Sequence, residues 1–243
     1  MHLFSMVQFP NLSRRSAQPE FMDDAKSDCD ALYRTLAQFA SINRFISRTP
    51  GLFKRMLFRD IQKRGLSRVT ILDLGAGGGD FARWCVWFLR RRMSVRVICV
   101  DNDKRVIDYL RRTCAGFPEI EIIHASALRL DERALCADYV IANHLLHHLT
   151  DDQIPEVIGK AFSAARYGLL FNDLSRHPIW YVFFSIVAGI FFRGGFVLKD
   201  GLMSIRKGFT RGEFTGYSEQ CGLSGRIRVG RWMFGHVYMC AVK

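Results

Sequence analysis

Ile71-Leu72-Asp73-Leu74-Gly75-Ala76-Gly77-Gly78-Gly79-Asp80 decides the fold of this 243-residue chain. An apolar run ends in a carboxylate, passes through three spaced glycines and enters the helical stretch Phe81 to Arg92. That is the texture of a strand, a tight turn and a helix. In an open parallel sheet, ligands bind beyond the carboxyl ends of the strands, where this turn falls. Glycine suits the position because, without Cβ atoms, the backbone turns sharply and brings its amide groups close to a ligand at a helix N-terminus. Taken alone, the glycines equally serve a tight strand-helix connection.

Outward from this stretch, short β-rich runs alternate with helical ones: Val69 to Leu74, Val95 to Val100, Ile120 to His124, Tyr139 to Ala142 and Leu169 to Asn172. Such alternation predicts an α/β fold, a doubly wound, mostly parallel sheet with helices on both faces. Arg226 to Val229 and His236 to Val242 are close enough in sequence to pair as antiparallel strands at its end. Thr150 with Gln153, and Thr210 with Glu213, match capping boxes, and Gly222 supplies a stop for the second helix. Between Asp28 and Arg64, apolar residues recur at helical spacing (Leu32, Leu36, Phe39, Ile42, Phe45) until Pro50-Gly51 interrupts them.

Hydrophobic residues make up 49% of the chain, enough for a sizeable core. No repeat appears, so residues 28–243 read as one domain: a helical cap (28–64), a cofactor-binding core (69–173), an apolar lid insert (174–209), and a terminal helix with the β pair (210–243). Residues 1–27 read as a flexible extension with no secretory signal. The seven cysteines contain no CxxC pair, which fits a reducing, cytoplasmic compartment without structural zinc. A formal charge of +12 points to anionic partners, nucleic acid or acidic lipid headgroups. The basic groups Arg14-Arg15, Arg90 to Arg92, Arg111-Arg112 and Arg206-Lys207 are scattered in the manner of solvated helix faces.

The second candidate strand ends at Asp101, where a carboxylate can accept both hydroxyls of a ribose. A dinucleotide fingerprint needs glycine at position 80, where Asp80 stands. An acid is ill placed beside a pyrophosphate but acceptable near a cofactor carrying sulfonium and ammonium groups. With these features, Ile71 to Gly79 resembles motif I of the class I S-adenosylmethionine-dependent methyltransferases. Asp101, the run Asn143-His144-Leu145-Leu146-His147-His148-Leu149 and the terminal β pair fit the same family over residues 69–243. The resemblance implies a Rossmann-like seven-stranded sheet with an antiparallel terminal strand and S-adenosyl-L-methionine as cofactor. It implies that Gly75 and Gly77 line the amino-acid end, that Asp101 holds the ribose, and that Ser126 and Ala127 flank the adenine. Asp73, Ala76, Asp80, Asn102 and Asn143 complete the expected cofactor wall. Many members carry an acid where Ser126 stands, so the resemblance implies a hydrogen bond to the adenine amino group that is either weaker here or supplied by backbone.

His144, His147 and His148, at i, i+3 and i+4, share a face if their segment is helical. No acid or cysteine stands at a recognisable metal-ligand spacing, so no metal is expected. A structural role beside the cofactor and a general-base role both remain open. His147 is the first choice for a base and His144 the second, since a phenol with pKa near 10 attacks better once deprotonated. Asp173 and His177, past the fifth strand, are weaker candidates. The cofactor's own charge also lowers the acceptor's pKa, so the reaction can dispense with a base. His148, Asp173, His177, Tyr181 and Phe184 are the expected acceptor contacts.

The insert Leu174 to Phe209 is rich in Trp180, Tyr181, Phe183, Phe184, Ile186, Ile190, Phe191 and Phe192. Its apolar run Ile179 to Phe192 has 14 residues, short of the roughly 20 that span a bilayer. With Arg193, Lys199, Arg206 and Lys207 nearby, it predicts a lipophilic acceptor or peripheral contact with a membrane, against the plainer alternative of a helix packed on the N-terminal cap. The leading expectation is O-methylation of a hydrophobic phenol, quinone or polyketide-like compound in secondary metabolism. Carbon methylation of a similar acceptor is close behind. An RNA-directed enzyme or RNA-binding protein is the rival raised by the charge, but the fourth strand lacks the Asn/Asp-Pro-Pro-aromatic signature. A non-catalytic partner subunit on the same fold is the other.

Overall fold

The run quoted above forms β1 (Arg68–Leu74), buried nearly end to end because helices cover both of its faces. The computed structural model describes residues 10–130, 136–192 and 195–243. Beside β1 lie β2 (Ser94–Asp101), β3 (Ile120–His124), β4 (Ala137–Asn143), β5 (Ala165–Leu174), β6 (Arg228–Trp232) and β7 (His236–Val242). They form one sheet in the order β3-β2-β1-β4-β5-β7-β6. β7 alone runs against the rest, pairing antiparallel with both β5 and β6. The expected seven-stranded topology is thus present, with β6 beginning two residues later than the sequence suggested.

The chain lays β2 and β3 on one side of β1, then crosses back to place β4 and β5 on the other. That reversal opens a crevice beyond the carboxyl ends of β1 and β4. Along β1, Val69 and Ile71 face one core and Leu72 and Leu74 the other. Each such side chain contributes roughly 1.5–3 kcal/mol when buried. A one-residue slip would exchange the two sets and turn Asp73 away from the crevice, so burial fixes where that carboxylate sits.

One face carries α1 (Cys29–Ile42), α2 (Thr49–Phe53), α3 (Arg59–Lys63), α4 (Asp80–Leu89) and α5 (Lys104–Thr113). The other carries α6 (Gln153–Ala164) and, after the insert, α9 (Arg211–Gln220). The insert itself is α7 (Pro178–Phe191) followed by α8 (Val197–Lys207), which join α1 in a third apolar cluster. Arg193, named above among the insert's basic neighbours, lies outside the described residues.

Several local expectations are corrected. The break in the N-terminal helices falls at Arg48, which adopts a left-handed φ of 47°, and Pro50 sits in the first turn of α2, where its missing N–H costs nothing. At Thr210 both capping-box bonds form. At Thr150 only the Gln153 side chain returns a bond, to the Thr150 N–H, and α6 is preceded directly by Asp152. Residues 10–27, expected as a loose extension, run across the crevice instead. Arg15 donates to the carbonyls of Lys207 and Leu149, its guanidinium lies 4.4 Å from the Phe209 ring, and it pairs with Asp151.

Gly168 in β5 marks the tightest backbone approach in the sheet, because a Cβ there would lie 2.5 Å from the Ala241 carbonyl oxygen of β7. Gly168→Ala is expected to cost about 1–3 kcal/mol, typical of overpacking a fitted site. Urea denaturation of the two proteins measures it, and an unchanged midpoint would show that the strands simply move apart.

Candidate active site

The crevice is a cavity of about 880 Å³. Its floor is the glycine turn. Gly75 and Ala76 both donate to the Val100 carbonyl at 2.8 and 3.1 Å, and Gly77 donates to Asp101 Oδ2 at 3.0 Å, so the turn is stitched to the end of β2. Gly75, Gly77 and Gly79 have φ of 67°, 51° and 70°, the left-handed region that glycine enters at no steric cost. At Gly79 a Cβ would also meet Leu110 at 2.6 Å.

Around this floor stand three carboxylates. Asp73 is buried, with Oδ2 lacking any hydrogen-bond partner, and Asp80 and Asp101 are half-buried in the cavity wall. Burial raises all three above the usual carboxylate range, and for Asp73 the charges of Asp80 and Asp101 push in the same direction. Asn43 donates to Asp80, and the Asp103 N–H donates to Asp101 at 3.1 Å. None of the three is ion-paired among the described residues. The floor therefore gathers three carboxyl groups that no ion pair satisfies, with the Arg83 charge acting on Asp80 from behind, and a cationic ligand fits it on electrostatic grounds.

The rest of the expected cofactor wall lines the same cavity: Ala76, Asn102, Ser126, Ala127 and Asn143. Ser126 spends its hydroxyl on capping the turn that follows, accepting from the Leu128 N–H at 3.2 Å. Asn143 Oδ1 accepts from Thr49 at 2.9 Å and from Asn172 at 2.7 Å, which ties β4 to β5 and to the helical cap.

The histidine run is not a helix face. His144 takes a left-handed φ of 58°, and Leu146 to His148 form a single tight turn. This separates the three rings by role. His236 Nδ1 faces the carbonyls of Met233 and Phe234 at 3.0 and 3.1 Å and so carries its hydrogen there. Its Nε2 is then an acceptor, and His144 donates to it across 3.0 Å. Burial, reinforced by their proximity, keeps His144 well below the usual histidine range, and burial lowers His236 as well. His144 thus has its Nε2 committed, and the second-choice base loses its most useful atom.

His147 is held by other partners. Its Nδ1 lies 2.6 Å from Asp173 Oδ1, and its backbone N–H donates to the other oxygen of the same carboxylate at 3.2 Å. Asp173 is fully buried, yet the His147 charge and hydrogen bond hold it well below the usual carboxylate range. The ring's Nε2 points to Glu20 Oε1 at 3.5 Å, on the cavity side.

Asp173 stands behind His147, not in the cavity lining, so it orients a ring and does not touch an acceptor. His177 caps α7, accepting from the Ile179 N–H at 3.2 Å, and Tyr181 packs in the third apolar cluster. Neither lines the cavity, whereas Phe184 and His148 do. What sequence reasoning missed comes from the crossing segment. Glu20 and Asp23 reach the site from more than a hundred residues away and meet His148, Ser204 and Lys207. Glu20, His147 and His148 have ligand atoms within 4.8 Å of one another, the spacing of a metal trio. Lys207 Nζ, 3.1 Å from Glu20 Oε1, already supplies a cation there.

Residues 71–168 match the methyltransferase domain family. No curated protein matches the sequence. Among solved structures, the plantazolicin methyltransferase, in complex with a pentazolic desmethyl analogue and S-adenosylhomocysteine, superposes with a TM-score of 0.64 at 11% identity, over 88% of this chain and 95% of that one. A methyltransferase from Aquifex aeolicus gives 0.54 at 14% identity, over 89% and 98%. An O-methyltransferase family protein from Burkholderia thailandensis gives 0.55 at 19%, over 92% of this chain and 61% of that one.

The raised carboxylates carry a stability signature. A group whose folded pKa lies above its unfolded value stabilises the fold fully below the unfolded pKa, and that contribution is lost as pH rises through the folded one. Asp73→Asn is accordingly expected to gain stability relative to the parent as pH rises from 5 to 8. Urea unfolding of both proteins across that range, without ligand, measures the gap, and a gap independent of pH would refute the charge cluster.

Proposed function

We propose that the chain is a class I S-adenosylmethionine-dependent methyltransferase, a reading supported by its sheet and by the match over residues 71–168, and that it methylates a hydroxyl of a hydrophobic small molecule, a phenol, quinone or polyketide-like acceptor. The observation that carries the cofactor is the trio Asp73, Asp80 and Asp101, free of ion pairs among the described residues, around a glycine turn. S-adenosylmethionine, when bound, supplies a cationic sulfonium whose methyl group is electrophilic. Asp101 would hold the ribose hydroxyls, Gly75 to Gly77 the amino-acid end, and Ser126 and Ala127 the adenine edge.

Support for a hydroxyl acceptor comes from the opposite wall. The Asp173 carboxylate fixes the His147 ring through Nδ1 and leaves Nε2 to take the acceptor's proton, the arrangement in which a carboxylate orients a base and stabilises its protonated form. Glu20 adds a second carboxylate on the Nε2 side. Phe39, Ile42, Ile46, Phe184 and Ile205, which pack in one cluster, give the cavity an apolar lining suited to a lipophilic ring or chain. Holding such an acceptor in line with the methyl group contributes most of the acceleration.

Methyl transfer from labelled cofactor into a cell extract, with mass spectrometry of the product, tests this reading. The expected product is a small lipophilic methyl ether; a label confined to RNA or protein overturns the acceptor class, and a new carbon-methyl bond overturns the hydroxyl. Asp101→Ala is expected to weaken S-adenosylhomocysteine binding at least tenfold by calorimetry, a loss of about 1.4 kcal/mol or more. His147→Gln should leave that binding intact and lower kcat by roughly 10²–10⁴. Equal turnover in the His147 variant removes the base from the mechanism.

A further inference from the structure

The 14 residues of α7 contain no charged side chain, yet half of the helix faces solvent. Ile179, Val182, Phe183, Ile186 and Ile190 fall on one stripe at helical spacing and are all exposed, with Ile186 and Ile190 at 58% and 61%. Phe184 and Ala188, on the opposite side, pack against α8 and α1. A helix apolar on both sides is normally buried on both sides.

The stripe does not stop at α7. Phe234, exposed in the turn between β6 and β7, stacks on Phe183 with ring centres 6.3 Å apart, and Gly235 lies against the Trp180 ring. Next to that turn, Trp232 donates to the Ser47 carbonyl at 3.0 Å, which joins it to the turn carrying exposed Phe45. Ile46, Trp180, Phe183 and Phe234, from these three elements, also line the cavity, so the apolar surface surrounds its mouth.

Charge says what covers this surface. Residues 43–59 hold Arg44, Arg48, Lys54, Arg55 and Arg59 and no acid, and all five are exposed. None is ion-paired among the described residues. Lys54, Arg55 and Arg59 line a shallow groove with Trp232, beside the apolar turn. A second copy docking through the same patch would set one cationic run near the other, a repulsive arrangement. Nucleic acid would answer the charge but leave the aliphatic stripe in water. An anionic lipid surface answers both. At 1.5 Å per residue, α7 is about 21 Å long, too short to cross the roughly 30 Å core, and so lies in the interfacial plane.

We propose that α7, the turn Met233 to Gly235 and the basic run 43–59 form a docking surface for an anionic lipid bilayer. The cavity mouth then opens onto the membrane, and the acceptor enters from the lipid; this second part rests on the methyltransferase reading above, while the docking itself does not. Co-sedimentation with vesicles of phosphatidylcholine, alone or mixed with phosphatidylglycerol, tests it on the full chain. Strong binding to the mixed vesicles at low salt, lost as salt rises, is expected. Ile186→Glu with Ile190→Glu should abolish it. Arg55→Ala with Arg59→Ala should weaken it about twenty-fivefold, at roughly fivefold for each charge near the surface. Both double variants should bind S-adenosylhomocysteine as the parent does, which separates loss of docking from loss of fold. No binding to the mixed vesicles, or equal binding by parent and both variants, overturns the proposal. So does a stable dimer in sedimentation velocity that Ile186→Glu dissociates, or retention by RNA with none by vesicles. If the parent docks but binds no S-adenosylhomocysteine, the enzymatic reading fails and the docking surface stands.

Discussion

Three carboxyl groups with no ion-pair partner among the described residues govern the architecture of the site. Asp73 and Asp101 end neighbouring parallel strands, so the sheet itself sets their separation, and Asp80 enters from the first turn of the helix that the glycines begin. Like charges withdrawn from water repel and are poorly solvated, and proteins ordinarily pair such groups or neutralise them by protonation. Here the buried oxygen of Asp73 has no partner at all. A cationic ligand relieves both penalties at once, which makes ligand binding and local stability one quantity.

That arrangement was legible in the sequence because each of its parts is local. A strand ending in Asp, a glycine turn and an acid in the third-glycine position are all adjacent residues, and Asp101 closes the next strand at the spacing parallel topology demands. Burial periodicity then reads through to the sheet order with little loss. The histidine run shows where locality fails. Three residues at i, i+3 and i+4 suggest one helical face, but the left-handed turn at His144 and the His236 ring from β7 assign each imidazole a different partner. Spacing cannot reveal a ring contributed by another strand.

The His147 end of the cavity was legible only in part, for the same reason on a larger scale: His147, His148 and Phe184 were named from the sequence, but the acids that meet the two rings were not. Its polar contacts come from residues 15–27, whose sequence carries neither periodicity nor motif. They are held by Asp200 in α8, which accepts the Phe21 and Met22 N–H groups at 2.8 and 3.0 Å, and by Arg105 in α5, which donates to the Met22 carbonyl at 3.0 Å. Burial, with Glu20 and Asp23 nearby, pushes the Asp200 carboxyl up to about 6. Such a segment reads as a tail because its apolar residues follow no period; Met22 packs against the core and Phe21 stacks on Phe196, and hydrogen bonds to helices that follow by more than seventy residues fasten it.

This fastening also explains why charged groups sit at the greasy end of the cavity. Lys207 lies 3.1 Å from Glu20 and 3.4 Å from Asp23, and His148, raised above its usual range by these two acids against the effect of burial, lies 3.1 Å from Asp23. Two acids meet a lysine and a histidine in this cluster, which latches the crossing segment to α8 and the histidine turn. The same latch is what brings Glu20 to the Nε2 side of His147. The segment that crosses the cavity therefore also completes the carboxylate pair flanking that ring, Asp173 at Nδ1 and Glu20 on the Nε2 side.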